Sequence, residues 1–370
     1  MIPLPGLSVN RNFGRARSTS LPISPASFSL GDSGAVSNRS RYAQIMVRFT
    51  VLASGSKGNS TVVTGGHTRI LVDCGLSCRE IFRRMRLADE KPETLDAIIV
   101  THEHSDHVNG ISVTARKLGI PVYFTEGTHR AWMRWLSPRK QMTYAQWMEL
   151  TRKQAAERQA ESQAEPENEG LDPEDDDSCP VEIAAEAQDQ PAEPVAAVKK
   201  DPTWLPSVQY FQAGEPFEIG DIAISPFTIS HDAADPVGFV FRTEGVRMAF
   251  ATDLGYISPN VKAQLRGVDL LLLESNHDLE MLRDGPYPWS VKQRVLSRVG
   301  HLSNEAASNF LEQDYDGQAA YVILAHLSEN NNVPELAKVA AERALAGRAS
   351  LLANRLSLAS QHEPLSSIYF

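Results

Sequence analysis

The stretch Thr101-His102-Glu103-His104-Ser105-Asp106-His107 follows directly on the apolar run Leu-Asp-Ala-Ile-Ile-Val at 95–100. Three of the ten histidines in the 370-residue chain fall within these seven positions. Neutral imidazole nitrogens and carboxylate oxygens are ligands that zinc and similar divalent ions accept. Alternate residues of such a turn can point to opposite sides, so one turn can serve two neighbouring ions. The sequence therefore predicts a metal site at a strand end, formed by His102, His104, Asp106 and His107.

Three further candidate ligands also follow predicted strands. His231 comes after an apolar stretch at 222–230, Asp253 after 248–252, and His326 after 321–325. Strand ends at one edge of a sheet bring together residues that are distant in sequence, so we expect these side chains to join the histidine-rich turn. Taken singly, each has an ordinary alternative, since a histidine can be a hydrogen-bonded core residue and Asp253 can be a turn residue.

The composition is that of a globular protein without a membrane span. Hydrophobic residues make up 42% of the chain, and no run approaches the roughly 18 to 20 apolar residues that a span requires. The three cysteines are an odd number without a C-x-x-C pair, which argues against a disulfide framework. A reducing cytoplasm is the expected location.

The charge is unevenly distributed along the chain. Residues 155–198 carry a net charge of −13 and residues 1–45 a net charge of +4, which leaves about −1 of the total −10 for the remainder. The composition of residues 1–45 predicts a disordered extension, typical of a transit peptide or of untranslated sequence, with Met46 favoured as the functional start. An acidic low-complexity insertion is predicted at about 137–205, within a single domain spanning 46–370. The nearly neutral remainder does not exclude a polyanionic substrate.

Apolar periodicity predicts an α/β protein with two strand-rich halves. Helices are expected at 77–87, 107–117 and 258–265, and the end of the chain is expected to be mostly helical. Predicted strands are 47–53, 61–65, 69–73, 95–100, 120–124, 216–219, 221–229, 236–243, 246–252, 268–273 and 319–324. This order of elements favours a layered sandwich of helix, sheet, sheet and helix.

The histidine-rich turn followed by His231, Asp253 and His326 resembles the metallo-β-lactamase superfamily, whose hallmark is an H-x-H-x-D-H loop. Further stretches resemble its YycJ/WalJ branch: 53–60, 71–77, 274–278, 300–304 and 325–331. This resemblance implies the four-layer αβ/βα sandwich of the superfamily. It also implies two divalent ions, with zinc favoured and manganese or iron as alternatives. His102, His104 and His231 are expected to bind the first, Asp106, His107 and His326 the second, and Asp253 both.

Other residues are candidates for substrate contact or for orienting the ligands. Asp73 is expected to accept a hydrogen bond from a ligand histidine or a loop amide, with a plain turn carboxylate as the alternative. His301 and His277 are catalytic candidates beside Asp106, either protonating a leaving oxygen or holding phosphate, although both can simply order the loops. A glycine-rich turn suits phosphate binding unless it is an ordinary hairpin; its candidates are Ser56, Lys57, Asn59 and Ser60.

The resemblance implies a phosphodiesterase that uses a metal-bridging hydroxide, and more narrowly an exonuclease with DNA as its nucleic-acid partner. Two alternatives remain open at this point. A small-molecule acyl hydrolase, either a thioesterase or a lactonase, uses the same metal loop elsewhere in the superfamily. A non-catalytic regulatory protein with a structural metal site belongs to a different class, and the complete ligand set argues against it. No membrane association is expected, and the sequence does not indicate a protein partner.

Overall fold

Two seven-stranded sheets pack against each other in the computed structural model, which describes residues 47–137, 148, 152–153, 201–346 and 355–370. The first sheet has the order β14-β1-β2-β3-β4-β5-β6. Its strands are β1 Arg48–Ala53, β2 Ser60–Thr64, β3 Arg69–Val72, β4 Ala97–Ile99, β5 Val122–Phe124, β6 Val208–Tyr210 and β14 Ile368–Tyr369. The β1–β3 part and the β14 edge are antiparallel, whereas β3 to β6 run parallel.

The second sheet repeats this change from antiparallel to parallel pairing, in the order β13-β12-β11-β10-β9-β8-β7. Its strands are β7 Phe217–Ile219, β8 Ile222–Thr228, β9 Val237–Thr243, β10 Val246–Ala251, β11 Leu270–Glu274, β12 Tyr321–Ala325 and β13 Arg355–Leu358. Strands β10 to β13 are parallel, so their carboxyl ends lie at one edge.

Helices cover the outer faces of both sheets. The first sheet packs on α1 Cys78–Leu87, α3 Ile111–Leu118 and α4 Glu126–Leu136, and the short α2 Ser105–Val108 precedes α3. The second sheet packs mainly on α5 Pro259–Gln264, α8 Asn304–Gln313 and α9 Pro334–Ala346. Two shorter helices, α6 Leu279–Asp284 and α7 Trp289–Val295, follow β11.

Successive side chains along the central strands are buried on opposite faces of each sheet. In β11, Leu270 and Leu272 point into the core between the sheets, while Leu271 and Leu273 point into the helical layer. A strand buried on both faces reads as a continuous apolar run, because successive side chains point to opposite sides. The prediction of a four-layer αβ/βα sandwich is confirmed.

Two of the predicted helical regions differ from the structure. The helix expected at 107–117 is divided into α2 and α3. The break occurs at Gly110 because this residue packs against the backbone of the loop between β3 and α1. A Cβ at position 110 would lie 2.0 Å from the Leu76 carbonyl oxygen. The expected helical end is present as α8 and α9, but the described residues after them form β13 and β14 instead of helix. The short strand β6 was not predicted.

The predicted N-terminal extension, residues 1–45, lies outside the described residues, as does most of the acidic insertion. Leu205, placed at the end of that insertion, is buried in the helix-side core of the first sheet. Within the described ranges, no helix is both long and apolar enough to cross a lipid bilayer.

Candidate metal centre

The histidine-rich turn is held in place by Asp73, which follows β3 and is completely buried. Its Oδ1 accepts from the Thr101 backbone N–H at 2.8 Å, and its Oδ2 accepts from the Thr101 hydroxyl at 2.9 Å. The same Oδ2 lies 2.8 Å from His107 Nδ1, so that nitrogen donates and Nε2 is left as the basic atom of the ring. Such an arrangement orients a histidine ligand and raises its basicity.

The first donor group, called here the triple-histidine group, consists of His102, His104 and His231. His104 Nδ1 lies 3.1 Å from His102 Nε2 and 3.2 Å from His231 Nε2. His231 comes from the loop after β8, and its Nδ1 donates to the Gly300 carbonyl oxygen at 3.2 Å. Three nitrogens from two sheets therefore converge on one point.

The second donor group, called here the aspartate group, consists of Asp106, His107 and His326. Asp106 Oδ2 lies 3.4 Å from His107 Nε2 and 3.6 Å from His326 Nε2. Asp253, after β10, lies beside both groups: its Oδ2 is 3.4 Å from His107 Nε2, and it forms a further cluster with His107 and His102. All seven predicted metal ligands are thus brought together.

Several buried atoms at this site lack a hydrogen-bond partner among the described residues, notably Asp253 Oδ2 and His326 Nε2. Leaving buried polar atoms unpaired is costly, and metal coordination would satisfy both. Burial, reinforced by the neighbouring His107, holds the pKa of His102 well below its ordinary value, which favours the neutral, metal-binding ring. The donor set therefore fits divalent cations.

Carboxylates dominate the electrostatics of the aspartate group. Burial opposes ionisation of Asp106, but His107 and His326 outweigh it and hold its pKa below the usual range. Burial likewise opposes protonation of His107, yet Asp253, Asp73 and Asp106 hold the pKa of this imidazole well above its ordinary value. The buried carboxylates therefore favour a positive charge beside them, which a bound metal ion would supply.

Three of these residues have left-handed backbone conformations, with φ values of 60° at Asp73, 59° at Asp253 and 56° at His326. Asp73 and His326 directly follow β3 and β12, and Asp253 lies two residues beyond the end of β10. Such conformations cost on the order of 1–3 kcal/mol for non-glycine residues and concentrate at functional sites. The sharp turn at each strand end directs these side chains into the cluster.

Glu274 is a site residue that the sequence reasoning did not single out. It ends β11 and is completely buried. Its Oε1 lies 2.8 Å from His301 Nδ1 and 3.0 Å from His326 Nδ1, while its Oε2 accepts from the backbone N–H groups of Leu254 and Leu302. The strand-end position that selected Asp253 was available as a signal for Glu274 as well.

The two further histidine candidates have different surroundings. The His301 ring lies 5.2 Å from the His231 ring and 5.1 Å from the His326 ring, and its side chain is 20% exposed. With Nδ1 facing Glu274, Nε2 of His301 is available at the site. His277 is almost fully buried and belongs to none of the donor clusters among the described residues. Burial lowers the pKa of His277 to about 4.

Three of the four candidate residues in the glycine-rich turn contact other parts of the protein. Asn59 donates from Nδ2 to Asp106 Oδ2 at 3.2 Å, and Ser60 donates from its hydroxyl to the Asp73 carbonyl oxygen at 3.0 Å. Ser56 and Lys57 are exposed, and Lys57 forms an ion pair with Glu329 at 2.5 Å. Asn59 and Ser60 therefore support the ligand-bearing loops, whereas Ser56 and Lys57 are accessible from solvent.

Two mixed sheets between helical layers, with a histidine and aspartate cluster where the strands end, define a metallo-hydrolase of the metallo-β-lactamase fold. The family model of the metallo-beta-lactamase superfamily matches residues 53–291, and the chain belongs to this superfamily. Within it, the protein is YycJ/WalJ-like, as predicted.

Two curated relatives are 32% identical to this chain. Exodeoxyribonuclease YycJ of Bacillus anthracis aligns over 299 residues, which are 81% of this chain and 89% of that protein. Exodeoxyribonuclease WalJ of Streptococcus pneumoniae serotype 2 aligns over 295 residues, 80% and 87% respectively. The crystal structure of the metallo-beta-lactamase fold protein YhfI from Bacillus subtilis covers 87% of this chain and 99% of its own, with a TM-score of 0.53 and 14% identity. That last similarity supports the fold alone.

Proposed function

We propose that this protein is a metal-dependent exodeoxyribonuclease that uses two divalent cations, with zinc favoured over manganese and iron. The triple-histidine group would hold one ion, the aspartate group the other, and Asp253 would contact both. The observation that carries this assignment is the convergence of seven donors from both sheets around unpaired buried atoms. The names of the two relatives, both exodeoxyribonucleases, support DNA as the substrate.

Bound divalent ions would supply Lewis acidity and a nucleophilic water at neutral pH. The chain's own residues orient the ligands and handle protons. Asp73 holds His107 by its Nδ1, and Glu274 does the same for His326 and His301. We assign His301 Nε2 as the atom that donates a proton to the departing oxygen or binds a phosphate oxygen, since the partly exposed His301 ring lies beside His231 and His326 and its Nδ1 faces Glu274. His277 and Asp106 were the other catalytic candidates, and we assign Asp106 to metal binding.

A cytoplasmic location forms part of this proposal. Cys74 and Cys78 are buried free thiols, as expected for a protein that folds without structural disulfides. Burial raises the pKa of the Cys74 thiol to about 12, which makes this thiol unreactive at neutral pH.

Incubation of the full chain with end-labelled DNA, RNA and a thioester under zinc, manganese or iron tests the proposal. We expect metal-dependent release of nucleotides from DNA, which Asp106→Ala abolishes. The matched control is Asp284→Ala, because Asp284 is an exposed aspartate that forms an ion pair with the adjacent Arg283. Equal cleavage by wild type and Asp106→Ala, or turnover of the thioester alone, would contradict it.

A further inference from the structure

Helix α7 and the loop after it have an unusual surface. None of the seven residues of α7 is buried. The stretch 289–299 exposes several apolar residues to solvent, and Trp289 is 66% exposed. The other exposed apolar residues there are Val291, Leu296 and Val299. An apolar surface of this kind on a folded protein is characteristic of a binding site.

The same stretch is positively charged within a nearly neutral folded region. Residues 289–299 contain Lys292, Arg294 and Arg298 and no acidic residue, while the chain outside residues 1–45 and 155–198 carries a net charge of about −1. The Arg298 guanidinium carbon lies 4.3 Å from the centre of the Tyr256 ring, which adds a second partly exposed aromatic face. Cations interspersed with aromatic rings bind unpaired nucleic acid strands, because phosphates meet the cations and bases stack on the rings.

Contacts fix this surface directly beside the triple-histidine group. Arg294 forms an ion pair with Asp232, the residue after His231. The Asp232 backbone N–H donates to the Val299 carbonyl oxygen at 3.0 Å, and His231 Nδ1 donates to the Gly300 carbonyl oxygen at 3.2 Å. A strand bound on this surface would therefore lead into the metal centre from the His231 side.

We infer that residues 289–299 together with Tyr256, called here the α7 surface, bind an unpaired stretch of the DNA strand that is being digested. This inference rests on the proposed function and adds the strand state and the place of contact. Trp289 would stack on a base, and Lys292 and Arg298 would contact phosphates. A second copy of the chain fits the surface less well, because an interface between identical copies would bring these like charges together.

Binding of a fluorescein-labelled oligothymidylate with hydrolysis-resistant phosphorothioate linkages tests the inference on the metal-loaded full chain. By fluorescence anisotropy, we expect Trp289→Ala to raise the Kd about tenfold or more. Arg298→Gln should lower the slope of log Kd against log salt concentration by about 1. The matched control is Trp204→Ala, since Trp204 is 57% exposed and lies in the segment that hydrogen-bonds to α3 through Asp201.

An unchanged Kd in Trp289→Ala overturns the inference, as does duplex DNA binding as tightly as the single strand. Loss of a dimer in sedimentation, with no change in oligonucleotide affinity, would instead assign the surface to self-association. The binding assay involves no turnover, so it is separate from the test of the proposed function. Should wild type bind through Trp289 yet hydrolyse no DNA, the nuclease proposal fails while the binding surface stands.

Discussion

The two donor groups at this site use different chemistry within a few ångströms of each other. The triple-histidine group contains only imidazole donors, and its His104 is partly exposed. The aspartate group contains a carboxylate, and buried Asp73 and Glu274 contact two of its members. Attraction between carboxylate and cation therefore strengthens ion binding in the aspartate group, and does so much less in the triple-histidine group. We therefore expect an ion in the aspartate group to be held more tightly.

Loss of Asp253 should have the largest effect, because this carboxylate lies beside both groups. Asp253→Asn retains a side chain that tolerates the left-handed backbone but removes the charge. We expect DNA hydrolysis to fall at least about a thousandfold, equivalent to about 4 kcal/mol of transition-state stabilisation. Elemental mass spectrometry should show fewer bound ions per chain.

Asp89→Asn is the control for Asp253→Asn. Asp89 also has a positive φ, of 56°, but lies in the turn after α1, outside the donor clusters. Activity and metal content of Asp89→Asn should match wild type. If Asp253→Asn kept full activity, the two groups would not share this residue.

Single histidine variants test the difference between the groups directly. His104→Ala removes a candidate ligand of the triple-histidine group, and His326→Ala removes one of the aspartate group. In a titration with a competing chelator, we expect His104→Ala to retain its remaining ion to a higher chelator concentration than His326→Ala. The reason is that Asp106 and Asp253 still attract that ion. Release in the opposite order would refute the comparison.

Glu274→Gln should have an intermediate effect. The amide replaces one carboxylate oxygen with a donor, so the contacts to His301, His326 and two backbone N–H groups cannot all persist. We expect activity to fall by about 10- to 100-fold and the free energy of unfolding to fall by about 1–3 kcal/mol. Both are measurable, by DNA hydrolysis and by urea denaturation.

Glu342→Gln on the exposed face of α9 is the matched control for Glu274→Gln. A purely structural role for Glu274 would reduce stability and leave the chelator midpoint for metal release unchanged. Lower chelator resistance in the folded variant supports the positioning of His326.

The smallest effect should come from the glycine-rich turn. Lys57 is exposed and paired with Glu329, and exposed ion pairs contribute about 0–1 kcal/mol. If Lys57 contacts substrate phosphate, Lys57→Ala should raise the KM for DNA about fivefold, with kcat unchanged. Lys338→Ala, which removes an exposed lysine paired with Glu342, is the control. Equal KM values in the two variants would leave the turn with only a structural role.

The sequence located the cluster of candidate donors better than it located the residues that orient them. The candidates in the turn at 102–107 could be selected because metal-ligand spacing within one turn is a local property. His231, Asp253 and His326 followed from their common position after apolar strands. The position of Glu274 at a strand end could have marked it as a candidate, but its role could not be assigned, because that role depends on His301 and His326 approaching the same oxygen in the folded protein.

The same limit applies to the fold. The central strands were predicted because both of their faces are buried and their apolar runs are long. Strands β13 and β14 were missed, since each is short and lies at a sheet edge, where few side chains are buried. The break at Gly110 was missed because it depends on the close approach of the loop that contains Leu76.

The pairing of β1 with β14 bears on how the chain acquires its structure during translation. Arg48 and Phe49 align with Tyr369 and Ile368, residues made more than three hundred positions later. Until the ribosome releases that segment, one side of β1 has backbone groups without their final partner. An open strand edge is prone to pairing with other chains, and contacts this distant in sequence slow folding. Newly synthesised protein should therefore be most vulnerable to aggregation until Ile368 and Tyr369 have emerged and paired with β1.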